Sequence, residues 1–150
     1  MVTIKNGVKM RKVRRIIVIL FIIAFIGIQF VEVERVNPPV TADINAPVEI
    51  KTILKNSCYN CHSNETVWPW YSKIAPISWL VSNDVKDGRK HLNFSEWEKL
   101  YSEKRNELKK KIWEEVNKDE MPLDIYTYIH PTAKLEMIQK DMIKKWATND

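Results

Sequence analysis

Apolar positions are spread very unevenly along this chain. Ile16 to Val31 reads IIVILFIIAFIGIQFV, a run interrupted only by Gly27 and Gln29. Lys5, Lys9, Arg11, Lys12, Arg14 and Arg15 precede it, and the first acid is Glu32. A membrane span takes about 20 apolar residues, with a lower limit near 17, so the run is slightly short. A cleaved signal peptide has an apolar stretch of roughly 7–15 residues and then a small-x-small site. Glu32-Val33-Glu34-Arg35 offers no such site. Counting Val33 and the snorkelling flanks lengthens the helix. The pattern therefore predicts a basic cytoplasmic flank over 1–15 and an uncleaved transmembrane signal anchor over 16–33. The positive-inside rule then sends the remainder across the membrane.

Beyond the anchor the pattern changes character. Residues 34–47 carry Pro38, Pro39 and Pro47 with mixed charge and no sustained period, which reads as a tether. Residues 48–150 form one domain. Asn45 can cap a helix whose apolar face is Val48, Ile50, Ile53 and Leu54 and which runs into Cys58. Pro69 and Pro76 keep the aromatic segment 63–82 from being a single helix, while Ile77–Val85 suits a short one. Ser95 with Glu98 has capping-box spacing and opens a helix through Trp97, Leu108, Ile112 and Val116, with a break near 102–107. Residues 123–132 read as a loop. A last helix over about 134–147 turns Leu135, Ile138, Met142, Ile143 and Trp146 inward. No stretch alternates as a strand would, so the predicted class is all-α.

Charge sharpens the picture by region. The formal net charge is +5, from 24 Lys+Arg and 19 Asp+Glu. The first thirty residues hold six cations and no acid, so the rest of the chain is slightly acidic. A basic nucleic-acid-binding domain is thereby excluded. With 45% apolar residues and three Gly the chain is not disordered, and two Cys cannot make a disulfide scaffold.

The chemistry concentrates in Cys58-Tyr59-Asn60-Cys61-His62, where the only two cysteines are spaced C-x-x-C and a histidine follows. That is the attachment signature of c-type haem. Two thiols add to the two vinyl groups on one porphyrin edge, and the adjacent imidazole becomes the proximal iron ligand. Three other readings are open. A thioredoxin-like pair would sit beside a strand in a βαβ unit. A zinc site would recruit His91 and His130. A structural disulfide would close only a tiny loop. For the sixth iron position the candidate is Met121, in a loop fixed by Pro122; His91 or His130 would instead give a bis-histidine site. Met137 and Met142 sit at helical spacing and read as core. The six tryptophans all follow the motif and suit either haem walls or core, and Arg89 and Lys90 either meet haem propionates or stay solvated.

The chain also resembles the membrane-anchored bacterial haem-binding domain (Haem_bd) family, related to c-type cytochromes. The likeness covers about 48–147. It rests on Cys58-Tyr59-Asn60-Cys61-His62-Ser63-Asn64, Pro69-Trp70-Tyr71, the stretch Gly88-Arg89-Lys90-His91-Leu92-Asn93-Phe94-Ser95-Glu96-Trp97, Glu120-Met121-Pro122 and His130-Pro131-Thr132-Ala133-Lys134-Leu135. The resemblance implies a small cytochrome c-like helical domain behind an N-terminal transmembrane helix. It implies one covalent haem c on Cys58 and Cys61, with His62 as axial ligand. The expected role is single-electron transfer in the periplasm between membrane or periplasmic redox partners, after loading by haem-c maturation machinery. A haem-based sensor or interaction module is the alternative. A peroxidase-like enzyme ranks last, because no distal acid-base pair is visible.

Overall fold

The computed structural model describes residues 3–148, with side chains from Met10 onward. Every regular element among them is helical. The order is α1 (Thr3–Ile28), α2 (Val48–Ser57), α3 (Tyr59–His62), α4 (Ile77–His91), α5 (Ser102–Asn117), α6 (Asp124–Ile129) and α7 (Met137–Thr148), with 3-10 turns at Trp70–Lys73, Phe94–Lys99 and Pro131–Ala133. The all-α expectation is met. These residues form two compact units: one reaches as far as Arg35 and includes Pro69–Ser82, and the other comprises Val36–Trp68 and the chain from Asn83 onward.

In the first unit, no helix among the described residues is long and apolar enough to cross a membrane. This corrects the transmembrane anchor expected over 16–33. Helix α1 ends at Ile28 and gives way to a turn in which the Gln29, Phe30 and Val31 amides reach back three residues. Gly27 and Gln29 are where the apolar run is interrupted, and glycine is a poor helix former. The helical apolar part, Ile16–Ile28, reaches only about 20 Å at 1.5 Å per residue, against a hydrocarbon core of about 30 Å. Gln29 then clips the chain to the second piece of this unit. Its Nε2 donates to the Ala75 carbonyl at 3.2 Å, and the Ala75 N–H donates to its Oε1 at 3.0 Å. Arg35 Nη1 donates to the Ser72 carbonyl at 3.2 Å, and Ser82 Oγ to the Glu34 carbonyl at 2.7 Å.

The second unit carries the hydrophobic core. Ile50, Ile53 and Leu54 of α2, Leu108, Ile112 and Val116 of α5, and Ile143 of α7 close around Tyr59, Phe94 and Trp97. The Tyr59 and Phe94 rings stack with centroids 5.3 Å apart, and Phe94, Trp97 and Trp146 continue the series at 6.0 and 6.3 Å. Helix α5 packs chiefly along α7. The stretch expected as a tether is bonded into this unit from Val36 on. Ile44 is buried in the core, its N–H donates to the Phe94 carbonyl at 3.0 Å, and the Thr41 and Ala42 amides share the Ser95 carbonyl. A lone isoleucine among polar and proline residues has no period to announce it.

Several boundaries moved for identifiable reasons. Helix α2 starts after Pro47, not at a capping Asn45, and has no side-chain cap. Helix α4 continues to His91, past the expected end near Val85. Ser95 is not the opening of a capping box. Asn93 caps the 3-10 turn by accepting from the Ser95 N–H, while the buried Ser95 hydroxyl accepts from the Asn64 N–H at 2.9 Å. The long helix therefore starts at Ser102, where a break was expected. The loop over 123–132 contains α6, and the last helix starts at Met137, leaving Ile138 exposed.

The two units predict contrasting tolerance to truncation. Leu54→Ala, at a fully buried core position, should cost about 2–5 kcal/mol in urea unfolding, whereas Leu80→Ala, half exposed on α4, should stay within about 0.5 kcal/mol. Equal effects would show that Leu54 is not in the core described.

Candidate cofactor site

The C-x-x-C-H segment is built at the joint between two short helices. Cys58 ends α2, its N–H bonded to the Leu54 carbonyl at 2.8 Å. Its own carbonyl accepts from the Cys61 and His62 amides, at 3.1 and 2.9 Å, and so winds α3. The two intervening residues pin this turn from opposite sides. Tyr59 is buried in the core and donates its hydroxyl to Asp43 Oδ1 at 2.8 Å, and Asp43 in turn pairs with Lys51 at 2.7 Å. Asn60 Nδ2 donates to the Tyr126 hydroxyl of α6 at 2.7 Å, while its Oδ1 accepts from the Val67 N–H.

Helix α4 lies against this turn at Gly88. A Cβ placed there would stand 2.6 Å from the Cys61 carbonyl oxygen and 3.3 Å from the Cys61 Cβ. Only glycine permits that approach without displacement. The approach also delivers two carbonyls to one imidazole nitrogen. His62 Nδ1 is 3.0 Å from the Gly88 oxygen and 3.1 Å from the Leu92 oxygen. Carbonyl oxygens only accept, so Nδ1 is the protonated nitrogen and Nε2 keeps its lone pair. Burial lowers the His62 pKa below the ordinary histidine value, partly opposed by these two backbone bonds, which holds the ring neutral. A neutral imidazole fixed through Nδ1 is the form in which histidine ligates a metal.

A cavity of about 460 Å³ opens beside this turn. That volume lies within the range of roughly 300–1,000 Å³ for cofactor sites. Its wall is mostly apolar, with Leu92, Phe94, Leu108, Ile112, Val116 and Leu123. Cys58, Cys61, His62 and Met121 all face it, so the four residues singled out by sequence are brought to one space. Met121 is set there by the way α5 ends. Asp119 takes a left-handed conformation with φ of 59°, its N–H bonds the Val116 carbonyl, and the Glu120 N–H reaches the Glu115 carbonyl. This pairing turns the chain sharply at the helix C-terminus. Tyr126 closes the opposite part of the wall from α6, a helix with no buried residue of its own.

The remaining candidates separate clearly. His91 is exposed on the rim of the cavity, and His130 stacks on Tyr126 with centroids 4.6 Å apart and is not among the lining residues. None of the six tryptophans lines the cavity, so of their two readings the haem wall is not met; the apolar wall is aliphatic apart from Phe94 and Tyr126. Arg89 is neither solvated nor turned to a ligand. It donates to the Ser63 carbonyl at 2.8 Å, the Val36 carbonyl at 2.7 Å, Asn37 Oδ1 at 2.9 Å and Thr66 Oγ1 at 2.9 Å, tying three chain segments together. The basic groups that reach the cavity are Lys111 and His91, beside the acids Asp84, Asp87 and Glu115. Sequence reasoning gave no role to Gly88, Leu92 or Tyr126 and read Arg89 as a propionate partner or a solvated charge. The signal for Gly88 and Leu92 was the stretch from Gly88 to Trp97 that carries the family resemblance, to which no role was attached.

Both cysteines are free thiols. Burial, reinforced by Cys61, pushes the Cys58 thiol up to about 12. Burial, then Asp84, pushes Cys61 up to about 11, with Arg89 opposing. A thioredoxin-like pair requires the opposite shift, and no strand lies beside this one. The zinc reading fails as well: no group of three or more His, Cys, Asp or Glu able to hold a metal ion occurs among the described residues. Two thiols, one neutral imidazole and one thioether on apolar walls fit a haem better than a bare ion.

Comparison with known proteins agrees with this chemistry. Residues 23–149 match a family model described as Haem-binding domain. No curated protein and no solved structure matches the chain.

Two outcomes follow for the cofactor-free protein. Gly88→Ala should cost about 1–3 kcal/mol by forcing α4 away from Cys61, and an unchanged urea midpoint would mean the close approach is relaxed in solution. The pH dependence has two limbs. His62 has a folded pKa below its ordinary 6.5, so its contribution is present above that pH and is lost as the solution is acidified. The thiols have folded values above the ordinary 9.0, so their contribution is complete below pH 9.0 and is lost as pH rises toward 11 to 12. Chemical unfolding should therefore show a stability plateau between the two. The alkaline limb should flatten in Cys58→Ser/Cys61→Ser.

Proposed function

Because the chain belongs to the haem-binding domain family, we propose that its shared cavity holds a single haem c and that the protein is an electron carrier rather than an enzyme. The observation that carries this reading is the meeting of Cys58, Cys61, His62 and Met121 on one apolar cavity. When bound, haem supplies a one-electron iron couple. In this reading Cys58 and Cys61 would hold the porphyrin edge through thioethers. His62 ligates through Nε2, and its two carbonyl partners keep the ring in place. Met121, on the same cavity, would supply a thioether sulfur, a ligand that favours the reduced iron and raises the potential. Leu108, Ile112 and Val116, which line the cavity, would keep water from the bound ring. Lys111 and His91, which line the cavity as Arg89 and Lys90 do not, would be the basic groups open to the haem carboxylates.

The partners in this reading are haem-c maturation machinery on the periplasmic face of a bacterial membrane and a redox protein there. Membrane association rests on α1, whose apolar side chains are exposed and follow six cations, a pairing that anionic lipid attracts. A second reading, a haem-based sensor, draws on α6. That helix lines the cavity yet buries none of its residues, so its position can report on what the cavity holds.

Expression of the full chain with haem-c maturation machinery tests the reading. Haem should remain on the polypeptide through denaturing electrophoresis, and Cys58→Ala or Cys61→Ala should each lose the double linkage. Wild type without covalent haem would sink the proposal. Met121→Ala should abolish the ferric sulfur-ligation band and lower the midpoint potential. An unchanged spectrum removes Met121 from the iron, and rapid carbon monoxide binding by wild type removes any strong sixth ligand. A non-redox protein captured only in one oxidation state favours the sensor.

A further inference from the structure

The first unit contains a second surface that neither the cavity nor the sequence motifs account for. Its piece Pro69–Ser82 is clipped to the end of α1 by the two Gln29–Ala75 hydrogen bonds and by Arg35 on Ser72. Yet it leaves large apolar side chains in the open. Trp70 is 74% exposed and stands edge-on to Tyr71, while Ile77 and Leu80, three apart on one face of α4, are 47% and 51% exposed. Phe30, beside the clip, is 81% exposed. Exposed apolar groups of this size, gathered on one short segment that hydrogen bonds tie to the end of α1, mark an interaction surface.

The choice of occupant rests on α1. Ile16, Ile17, Val18, Ile19, Leu20, Phe21 and the turns after them are each about half exposed or more, so the helix is open on all sides, not along one stripe. A protein groove covers one stripe of a helix, whereas lipid covers every side. Six cations before Ile16 complement anionic headgroups. Trp and Tyr are the residues that settle where apolar and wet environments meet. We propose that Trp70, Ile77 and Leu80 form an interfacial foot that enters an anionic lipid surface beside the apolar end of α1, with Gln29 holding the two at one depth. The inference rests on the lipid association of α1 and adds a second point of contact. The foot gives the unit a fixed level in the lipid that a helix alone does not impose.

The test uses the full chain with vesicles of phosphatidylcholine and phosphatidylglycerol, with and without brominated acyl chains. The Trp70 contribution is isolated by subtracting the emission of Trp70→Phe, and Trp113→Phe serves as the control within the second unit. Most of the Trp70 emission should be lost in brominated vesicles, and its quenching by aqueous acrylamide should fall. Gln29→Ala should still float with vesicles but lose much of that bromine quenching. Failure of the wild type to float overturns both the α1 reading and this one. Flotation with Trp70 unaffected by bromine overturns the foot alone. Equal flotation and equal quenching on pure phosphatidylcholine overturns the requirement for anionic lipid.

Discussion

The second unit depends on one short distance, the approach of α4 to the Cys61 carbonyl at Gly88. It permits the two backbone bonds to His62 Nδ1, and those bonds decide that Nε2 is the imidazole nitrogen left with its lone pair. Arg89, the next residue, ties the same helix to the Ser63, Val36, Asn37 and Thr66 positions, so the approach is held from both sides of one turn. Polar atoms buried here are all partnered among the described residues, as a rigid ligand mount requires. A soft apolar chamber is thus set against a stiff polar hinge.

Much of the chemistry was legible in the sequence because it is local. The C-x-x-C-H spacing is a property of five consecutive residues, and Met121 was marked by the proline beside it. The helices with strong apolar period, α2, α5 and the later part of α7, were also legible. What escaped depends on contacts distant in sequence. Ile44 gains its burial from Phe94 and Ser95 about fifty residues on, and nothing near it in the chain says so. Ser95 has the spacing of a capping box, but its hydroxyl was taken by Asn64. Arg89 carries a charge, and a charge in sequence suggests solvent or a ligand; four backbone and side-chain acceptors made it a structural clamp instead.

The tryptophans teach a related lesson. Six of them after a haem motif suggest walls for a ring, yet the cavity is lined by aliphatic residues with Phe94 and Tyr126. Trp97 and Trp146 pack outward from Phe94 as tilted rings behind the wall, while Trp70 lies exposed in the other unit. Residue type alone sets which chemistry is possible. The partition between units sets which of those possibilities each ring performs.

The cavity's composition also imposes an order of events. Cys58 and Cys61 leave the ribosome, or cross a membrane, before Gly88, Leu108, Met121 and Tyr126 exist to enclose them. While the chain ends short of α4, the thiols are open, hydrated and as readily ionised as any free cysteine. Once α4 through α6 have folded over them, the same sulfurs are raised in pKa and walled in. The time in which these thiols are open to any reagent is therefore set by how quickly the downstream chain arrives and docks, which makes folding rate a competitor of their modification.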